Sequence, residues 1–525
     1  MKLFEGFNVN GKPFFALGAQ AHNSSSYNRE MFAESIKATL AMNCNTLEAP
    51  VYWEVVEKTE GVFDFSCVDF MTEMCRKAQL KLVILWFASW KNGDISYAPG
   101  WVKENQTRFQ RVLSGDGTPV SCLSSHYEEN SKVDAKAFAA LAAYIKKIDE
   151  KQQTIIALQV ENEPGYLRTE RDFSPKSLEN LGTNVPEKLL SWLENHKSSA
   201  PYLIWKKEGS RKNANWTDTF GFHGYEFCEA WNLALYIDRV AAAGKKENGI
   251  PMYINVWLND GSPWGISGIE YPGGGAVAKT LHIWLAAVEH IDLVAPDIYE
   301  QNCYRFEKIA NLYKTETNAL FIPESSANLS GSCNMFYAIG RGAIGYASFG
   351  IESCLDVEGN VRPQALPARD SNLAAKNAIP LIIKHRFTGK MYPVLPHTGK
   401  GDEGYEFENY IGTVNFSAVH SYDFHTRRMN LNEEQLTPRG LIFEDEPDLF
   451  YLAGLFNLRL FPKKSPGLSK IVYSLPVPDF LNIEEGIFDE NGQFRVTRTR
   501  NGDEAMFGGF WVTPFCGLVR IRLAK

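Results

Sequence analysis

Short apolar runs alternate with amphipathic stretches over roughly the first 350 residues of the chain. The run at residues 80–88 is almost continuously apolar, which is typical of a strand buried on both faces. The predicted strands are residues 14–21, 45–51, 80–88, 154–160, 251–258, 293–299, 319–323 and 343–349. Predicted helices separate them at 29–42, 69–78, 135–147, 227–243, 277–289, 306–314 and 336–339. Eight such strands with intervening helices predict an α/β fold, the (β/α)8 barrel.

The competing architecture is an open, doubly wound sheet. That fold usually has fewer strands and often a glycine-rich phosphate turn, and no such turn follows the first predicted strand. A polar segment, residues 165–219, interrupts the alternation after the fourth strand. Because loops of that length are usually functional or independently folded, we expect an insertion that rises from the active face of the barrel.

The pattern changes after about residue 390. Short runs of β-forming residues then lie between clusters of Gly, Pro and Asp, at 405–416, 440–444, 449–460, 471–475 and 507–523. This pattern predicts an all-β, sandwich-like domain. The sequence therefore divides into a barrel over residues 1–375 and a C-terminal all-β domain over residues 390–525.

Composition narrows the class of protein. The net charge is -8 and no long basic run occurs, which argues against nucleic acid as a partner. No apolar run approaches the roughly 20 residues of a membrane span, and the N-terminus lacks the apolar stretch of a secretory signal. The nine scattered cysteines form no Cys-x-x-Cys pair, as expected of free thiols in a reducing compartment. We therefore expect a cytoplasmic protein without a metal site.

Two carboxylates stand where predicted barrel strands end. Glu163 follows the fourth strand, which cannot continue past Pro164. Glu324 follows the seventh strand directly. These two strands lie across the barrel mouth from each other, so the side chains can face one another. Glycoside hydrolysis needs such a pair, one to protonate the leaving oxygen and one to attack or to activate water. Glu161 lies one layer deeper, and we expect it to be a paired, buried carboxylate.

Several stretches resemble known glycosidases. Residues 50–54 and 57–65 are similar to an element of glycoside hydrolase families 35 and 42. Residues 159–165 (Gln-Val-Glu-Asn-Glu-Pro-Gly) are similar to the Gln-x-Glu-Asn-Glu-Tyr-Gly of family 35 β-galactosidases, with Pro in place of Tyr. The stretches that resemble a bacterial branch of family 35 with an all-β C-terminal domain are 85–93, 251–258, 295–299 and 322–324.

This resemblance implies a retaining exo-glycosidase, most simply a β-galactosidase that works by double displacement without a cofactor. It assigns Glu163 as acid/base and Glu324 as nucleophile, with Asn162 on the sugar 2-hydroxyl and Tyr299 beside the nucleophile. Retention requires the two carboxyl groups to lie roughly 5–5.5 Å apart. The chain departs from the family at Ser89, where typical members have a Glu that grips galactose. Glu48, at the end of the second strand, could reach into that space.

Further substrate contacts are predicted from strand-end positions. Tryptophans there can stack on a sugar's apolar face, and asparagines can bind its hydroxyls. The candidates are Trp86, Trp90, Trp257, Asn92 and Asn255. The expected substrate is an oligosaccharide or small glycoside.

Two alternative functions remain. One is a glycosidase of the same clan that acts on another glycone, such as a β-fucosidase, an α-L-arabinopyranosidase or a family 42- or 5-like enzyme. Another is a non-catalytic carbohydrate-binding protein. The insertion could wall the pocket or pack against a second subunit, so a homo-oligomer stays open.

Overall fold

The computed structural model describes residues 3–259, 265–396, 403–414, 431–463, 478–500 and 509–524. The strands of its first part are β1 (Phe7–Val9), β2 (Lys12–Phe14), β3 (Ala16–Gln20), β4 (Thr46–Tyr52), β5 (Lys81–Lys91), β6 (Arg111–Leu113), β7 (Pro119–Leu123), β8 (Ile155–Asn162), β9 (Met252–Val256), β10 (Leu293–Pro296), β11 (Phe321–Ile322) and β12 (Gly345–Phe349). Eight of these strands pair in parallel in the order β10-β9-β8-β5-β4-β3-β12-β11. At the open ends of that order, the Ile298 amide donates to the Glu324 carbonyl at 2.9 Å. The sheet thus closes on itself as a barrel.

Helices surround the barrel and build the insertion. In chain order they are α1 (Arg29–Ala41), α2 (Trp53–Val56), α3 (Ser66–Lys77), α4 (Gly100–Glu104), α5 (Glu128–Asp149), α6 (Pro175–Leu181), α7 (Glu187–Asn195), α8 (Ala200–Lys207), α9 (Trp216–Phe220), α10 (Gly224–Glu247), α11 (Leu281–Ala287), α12 (Cys303–Tyr313), α13 (Leu329–Gly340) and α14 (Leu366–His385). Side-chain caps set several starts: the Asn28 side chain accepts from the Met31 amide at the start of α1, and Ser199 caps α8 likewise. Helices α6 to α9 fill the segment predicted as an insertion.

Alternation along the barrel strands separates two layers of core. Tyr52, Val83, Leu85, Phe87 and Tyr253 belong to a buried cluster inside the barrel. The residues between them on β5 face the helices and join the larger core. Because β5 is buried on both faces, its sequence lacks polar alternation, as the apolar run predicted.

The C-terminal part is an antiparallel all-β domain. Its strands are β13 (Met391–Val394), β14 (Glu403–Glu406), β15 (Tyr410–Val414), β16 (Arg439–Glu446), β17 (Leu449–Pro462), β18 (Phe480–Phe488), β19 (Phe494–Thr499), β20 (Phe510–Val512) and β21 (Leu518–Leu523). The long strand β17 pairs with β16 and β21 along its first half and with β15 and β20 along its second. Side chains from both groups of strands form one apolar cluster. This sandwich-like arrangement and the barrel confirm the predicted fold class.

Some details differ from the prediction or lie beyond it. Helix α14 was not predicted, and the proposed limit of the barrel at residue 375 falls inside it. The predicted strand at 471–475 lies outside the described residues. All nine cysteines are free, and Cys303 alone among them is not fully buried. None of the helices in the described ranges has the length and apolar character needed to cross a bilayer.

Candidate active site

A cavity of about 800 Å³ opens at the carboxyl end of the barrel strands. Both predicted catalytic glutamates line it. Other lining residues are Lys91, Asn92, Trp257, Asp297 and Tyr299. A cavity of this size accommodates a small ligand of the dimensions of one or two sugar rings. The strand ends therefore bring together residues that lie more than 200 positions apart in sequence.

Glu163 follows β8 directly, and its backbone has an unusual conformation that a hydrogen bond from its amide helps to fix. Its φ angle is 46°, in the left-handed region that non-glycine residues seldom adopt, and its amide donates to Asn255 Oδ1 at 2.9 Å. Strained conformations of this kind persist where surrounding contacts fix them, often at functional sites. Burial, followed by the negative charge of Glu324, raises the pKa of Glu163 to about 7. The side chain can thus hold a proton near neutral pH and release it there.

Glu324 follows β11 and accepts hydrogen bonds from four side chains. Its Oε1 accepts from Gln20 Nε2 at 2.8 Å, from Asn255 Nδ2 at 3.2 Å and from Asn162 Nδ2 at 3.5 Å. Its Oε2 accepts from the Tyr299 hydroxyl at 2.8 Å. Because all four partners donate, they fix the carboxylate in one orientation. A carboxylate held in this way is suited to nucleophilic attack.

A third carboxyl group, that of Asp297, lines the same cavity. It follows β10, is 3% exposed, and accepts a hydrogen bond from Asn255 Nδ2 on its Oδ2 at 2.8 Å. Burial, then the charges of Glu324 and Glu163, raise the pKa of Asp297 well above its ordinary value. Asn255 therefore contacts all three acidic residues of the site, through its side-chain oxygen to the Glu163 amide and through its nitrogen to the two carboxyls.

Lys91, the last residue of β5, also lines the cavity. Its Nζ donates to Asn162 Oδ1 at 2.8 Å, and its charge lowers the pKa values of both Glu163 and Asp297 against the effect of burial. The hydrogen bond also settles which way the Asn162 amide points, since Nζ can only donate. The Asn162 nitrogen is left facing Glu324.

The structure divides the predicted substrate contacts into three groups. Asn92, Trp257 and Tyr299 line the cavity, and Trp257 is 37% exposed there. Asn162 and Asn255 are fully buried and hydrogen-bond the acidic residues that line the cavity. Glu48, Trp86 and Trp90 are buried and are not among the lining residues.

Each member of the third group has a partner within the protein. Glu48 accepts from the Tyr253 hydroxyl at 3.0 Å, and burial raises its pKa well above the ordinary value. Trp86 Nε1 donates to Asp134 at 3.0 Å, in the layer between barrel and helices. Trp90 Nε1 donates to the Cys122 sulfur at 3.0 Å. Glu48 Oε2 and the two indole nitrogens thus make contacts within the protein, whereas Glu48 Oε1 is buried without a hydrogen-bond partner among the described residues.

Ser89 also faces away from the cavity. Its hydroxyl donates to Asp134 Oδ2 at 2.7 Å and lies 2.8 Å from the Tyr236 hydroxyl. The cause is an irregularity in the pairing of β5 with β8 between Trp86 and Lys91, which changes the alternation of side chains. Glu161 is buried nearby, as predicted, and accepts from the Trp90 amide at 2.8 Å. The charged residue that β5 contributes to the cavity is Lys91.

The residues of the site that sequence reasoning missed include Gln20, Lys91 and Asp297. Gln20 ends the first barrel strand and Asp297 directly follows the sixth, so each is a polar residue at the end of an apolar run. That signal was available and is the one that identified Glu163 and Glu324. For Lys91 the signal was absent, because the strand irregularity determines which side chain of β5 enters the cavity.

Comparison with known families gives two matches. Residues 6–266 match the model described as glycosyl hydrolases family 35, and residues 375–510 match a domain of unknown function (DUF5597). The first match includes Glu163 and ends before Glu324. No curated protein matches the sequence.

Several solved structures are similar over most of the chain. A β-galactosidase from Bacillus circulans sp. alkalophilus is 12% identical, with a TM-score of 0.49 over 70% of this chain and 57% of that one. A β-galactosidase from the psychrophilic Marinomonas ef1 is 11% identical, with a TM-score of 0.48 over 70% of this chain and 60% of that one. The catalytic domain of β-amylase from Paenibacillus polymyxa is 12% identical, with a TM-score of 0.47 over 67% and 95%. The chain thus spans about 60% of the length of the two β-galactosidases.

Over residues 6–266, just under half of its length, the chain is therefore similar to glycosyl hydrolases family 35, and the carboxylates at the mouth of its barrel agree with that similarity.

Proposed function

We propose that the protein is a retaining exo-β-galactosidase that removes terminal β-D-galactosyl residues by double displacement. The observation that carries the proposal is that one cavity holds two glutamates with opposite surroundings. Glu163 has a pKa raised to about 7, whereas Glu324 accepts four hydrogen bonds. Two carboxyl groups whose environments differ in this way suit the acid and the nucleophile of a retaining glycosidase.

The first step forms a covalent intermediate. Glu324 attacks the anomeric carbon while Glu163 gives its proton to the glycosidic oxygen, so that the bond from carbon to leaving oxygen breaks as the bond to Glu324 forms. Tyr299, hydrogen-bonded to Oε2 of Glu324, holds the nucleophile in place for the attack. Esterification removes the negative charge of Glu324.

The second step reverses the proton transfer. Because the charge of Glu324 contributed to the raised pKa of Glu163, its loss lowers that pKa and favours the ionised form of Glu163. Ionised Glu163 then takes a proton from water as the water oxygen attacks the anomeric carbon and the bond to Glu324 breaks. The sugar leaves with its original anomeric configuration.

The test is hydrolysis of aryl glycosides by the wild type, Glu163→Ala and Glu324→Ala. The panel contains β-galactoside, β-fucoside, α-L-arabinopyranoside, β-glucoside and β-xyloside. We expect turnover of the galactoside, a loss of at least about a thousandfold in Glu324→Ala, and rescue of both variants by azide. Glu324→Ala should give the α-azide and Glu163→Ala the β-azide, because azide replaces the nucleophile in one and water in the other.

Glu73→Ala is a suitable control, since Glu73 lies on the outer helix α3 and pairs with Arg29 and Lys77. Preferential turnover of another member of the panel would replace galactose by that glycone. A product of inverted configuration by proton NMR would refute double displacement. If no glycoside is turned over and no fluoroglycoside labels Glu324, the protein binds carbohydrate without cleaving it.

A further inference from the structure

The two oxygens of Asp297 have different surroundings. Oδ2 accepts the hydrogen bond from Asn255 Nδ2 at 2.8 Å. Oδ1 is fully buried and has no N–H or hydroxyl donor among the described residues. The carboxyl group of Glu163 lies within hydrogen-bonding reach of the Asp297 side chain. A carboxylate oxygen cannot donate, so two facing carboxyls form a hydrogen bond only when one of them carries a proton.

The contacts of Asp297 indicate which oxygen carries that proton. Oδ2 is engaged as an acceptor, as the carbonyl oxygen of a carboxylic acid would be. Oδ1 is then the hydroxyl, and Glu163 is its acceptor. A charged Asp297 would leave an ionised oxygen buried beside a second carboxyl group, an arrangement whose desolvation is costly.

We propose that Asp297 is a positioning residue that stays protonated and donates its Oδ1 hydroxyl to Glu163. The proposal deepens the function proposed above, since it concerns the acid/base of the same site, and it rests on that function only for its kinetic readout. Asp297 keeps its own proton throughout the reaction. The proton that reaches the leaving oxygen comes from Glu163, and the one that returns to Glu163 comes from water.

The charged and titratable groups that face this pair come from five barrel strands and one helix. They are Glu163, Lys91, Glu324, Tyr253, Tyr299 and Tyr313. Two of them, Glu163 and Glu324, disfavour a charge on Asp297, whereas Lys91 favours it. Burial acts in the same direction as the two glutamates and is the largest effect. Together these effects disfavour the charged form of Asp297.

The hydrogen bond has a consequence for catalysis. A neutral donor beside Glu163 stabilises the ionised form of Glu163 without adding a charge. Burial and Glu324 alone would raise the Glu163 pKa further, so that the residue would protonate well but serve poorly as a base. With Asp297 protonated, Glu163 titrates close to neutral pH and can act in both steps.

The test compares Asp297→Asn with Asp297→Ala in the pH dependence of kcat/KM for the aryl glycoside that the wild type turns over best. Asparagine reproduces a neutral donor, so we expect the alkaline limb of Asp297→Asn to stay within about 0.3 pH units of the wild type. Alanine removes the donor, so the alkaline limb should rise by about one pH unit. A downward movement in Asp297→Asn of a unit or more would show that Asp297 was charged and would overturn the proposal. An unmoved limb in Asp297→Ala would overturn it as well.

Titration of ¹³C-labelled glutamate carboxyls, with Glu163→Gln for assignment, reports the same shift without turnover. If the protein cleaves no glycoside, the proposed function fails while this titration still decides the role of Asp297. Asp134→Asn is the matched control, because Asp134 is a buried carboxyl beside Glu161 that lies outside the cavity. It should leave the titration of Glu163 unchanged. If Asp297→Ala does not fold, the direction observed in Asp297→Asn decides alone.

Discussion

The Nζ atom of Lys91 donates a hydrogen bond of 2.8 Å to Oδ1 of Asn162. This contact crosses from the third barrel strand to the fourth, and the charge of Lys91 lowers the pKa of Glu163. The Asn162 amide is thereby oriented with Nδ2 toward Glu324. A single lysine thus acts on both glutamates, on one by charge and on the other through Asn162.

Replacement of Lys91 by methionine should raise the pKa of Glu163 above about 7, because a nearby positive charge is lost. The alkaline limb of kcat/KM should move upward, and kcat/KM at its optimum should fall about 10- to 100-fold as Asn162 loses its orientation. Lys103→Met removes a similar side chain that pairs with Glu54 instead. Equal effects of the two changes on the pH profile would argue against a local role of Lys91.

Tyr299→Phe removes the hydroxyl that donates to Glu324 Oε2 at 2.8 Å. Hydrogen bonds to charged groups contribute about 1.5–3 kcal/mol, so kcat should fall about 10- to 100-fold while KM changes little. Thermal stability should hardly change, since Tyr299 is 42% exposed. Tyr144→Phe deletes a similar hydrogen bond to Asp69 outside the cavity and provides the comparison. A rise in KM with unchanged kcat would instead make Tyr299 a substrate-binding residue.

Ser89 is fully buried against Asp134 and Tyr236, so changes there should alter stability and not the glycone contact. Ser89→Ala should cost about 1–3 kcal/mol in the free energy of unfolding, with activity per folded molecule retained. Ser89→Glu, which restores the residue type of typical family members, should destabilise by about 3 kcal/mol or more because it buries another carboxyl beside Asp134. Urea denaturation followed by fluorescence measures both. Improved galactoside turnover in Ser89→Glu would mean that position 89 reaches the sugar.

Burial of Glu48 should make the free energy of unfolding depend on pH. Its pKa in the folded protein is well above the ordinary value of 4.5, so the folded state keeps a proton that the unfolded chain has already released. Stability is therefore fully present below pH 4.5 and is lost as the pH rises toward the folded pKa. Glu48→Gln should match the wild type near pH 4 and become more stable than it above that, by up to about 1.4 kcal/mol for each pH unit in the window. Urea unfolding at several pH values gives the comparison.

Glu73→Gln is the control of opposite sign. Hydrogen bonds and charges of Lys77 and Arg29 lower the pKa of Glu73 to about 2, and the side chain is exposed. Any stabilisation that ionised Glu73 contributes is lost as the pH falls through its lowered pKa, and salt weakens this stabilisation by screening. A Glu48→Gln variant that follows the wild type at every pH would show that Glu48 is ionised in the folded protein.

Much of the fold could be predicted from local pattern. Strands buried on both faces have continuous apolar runs, and helices on a barrel have one apolar side, so β5 and α1 were recognised from spacing alone. Helix α14 was missed, since it joins the two domains and its buried face depends on both. The exact limits of short strands such as β11 were also out of reach, because they depend on pairing with neighbours.

The sequence by itself determined the barrel, the all-β domain and the two glutamates at opposed strand ends, because periodicity and chain order suffice for these. Tertiary structure alone decided which other side chains enter the cavity. An irregularity in the pairing of β5 with β8 sends Ser89 toward Asp134 and Lys91 toward Asn162, and no local signal marks it. The neighbours of Asp297 were likewise invisible in the sequence, since burial and charges from distant strands set its protonation. Position along a strand is a local property, whereas the electrostatic field at a carboxyl group depends on residues from several strands of the barrel.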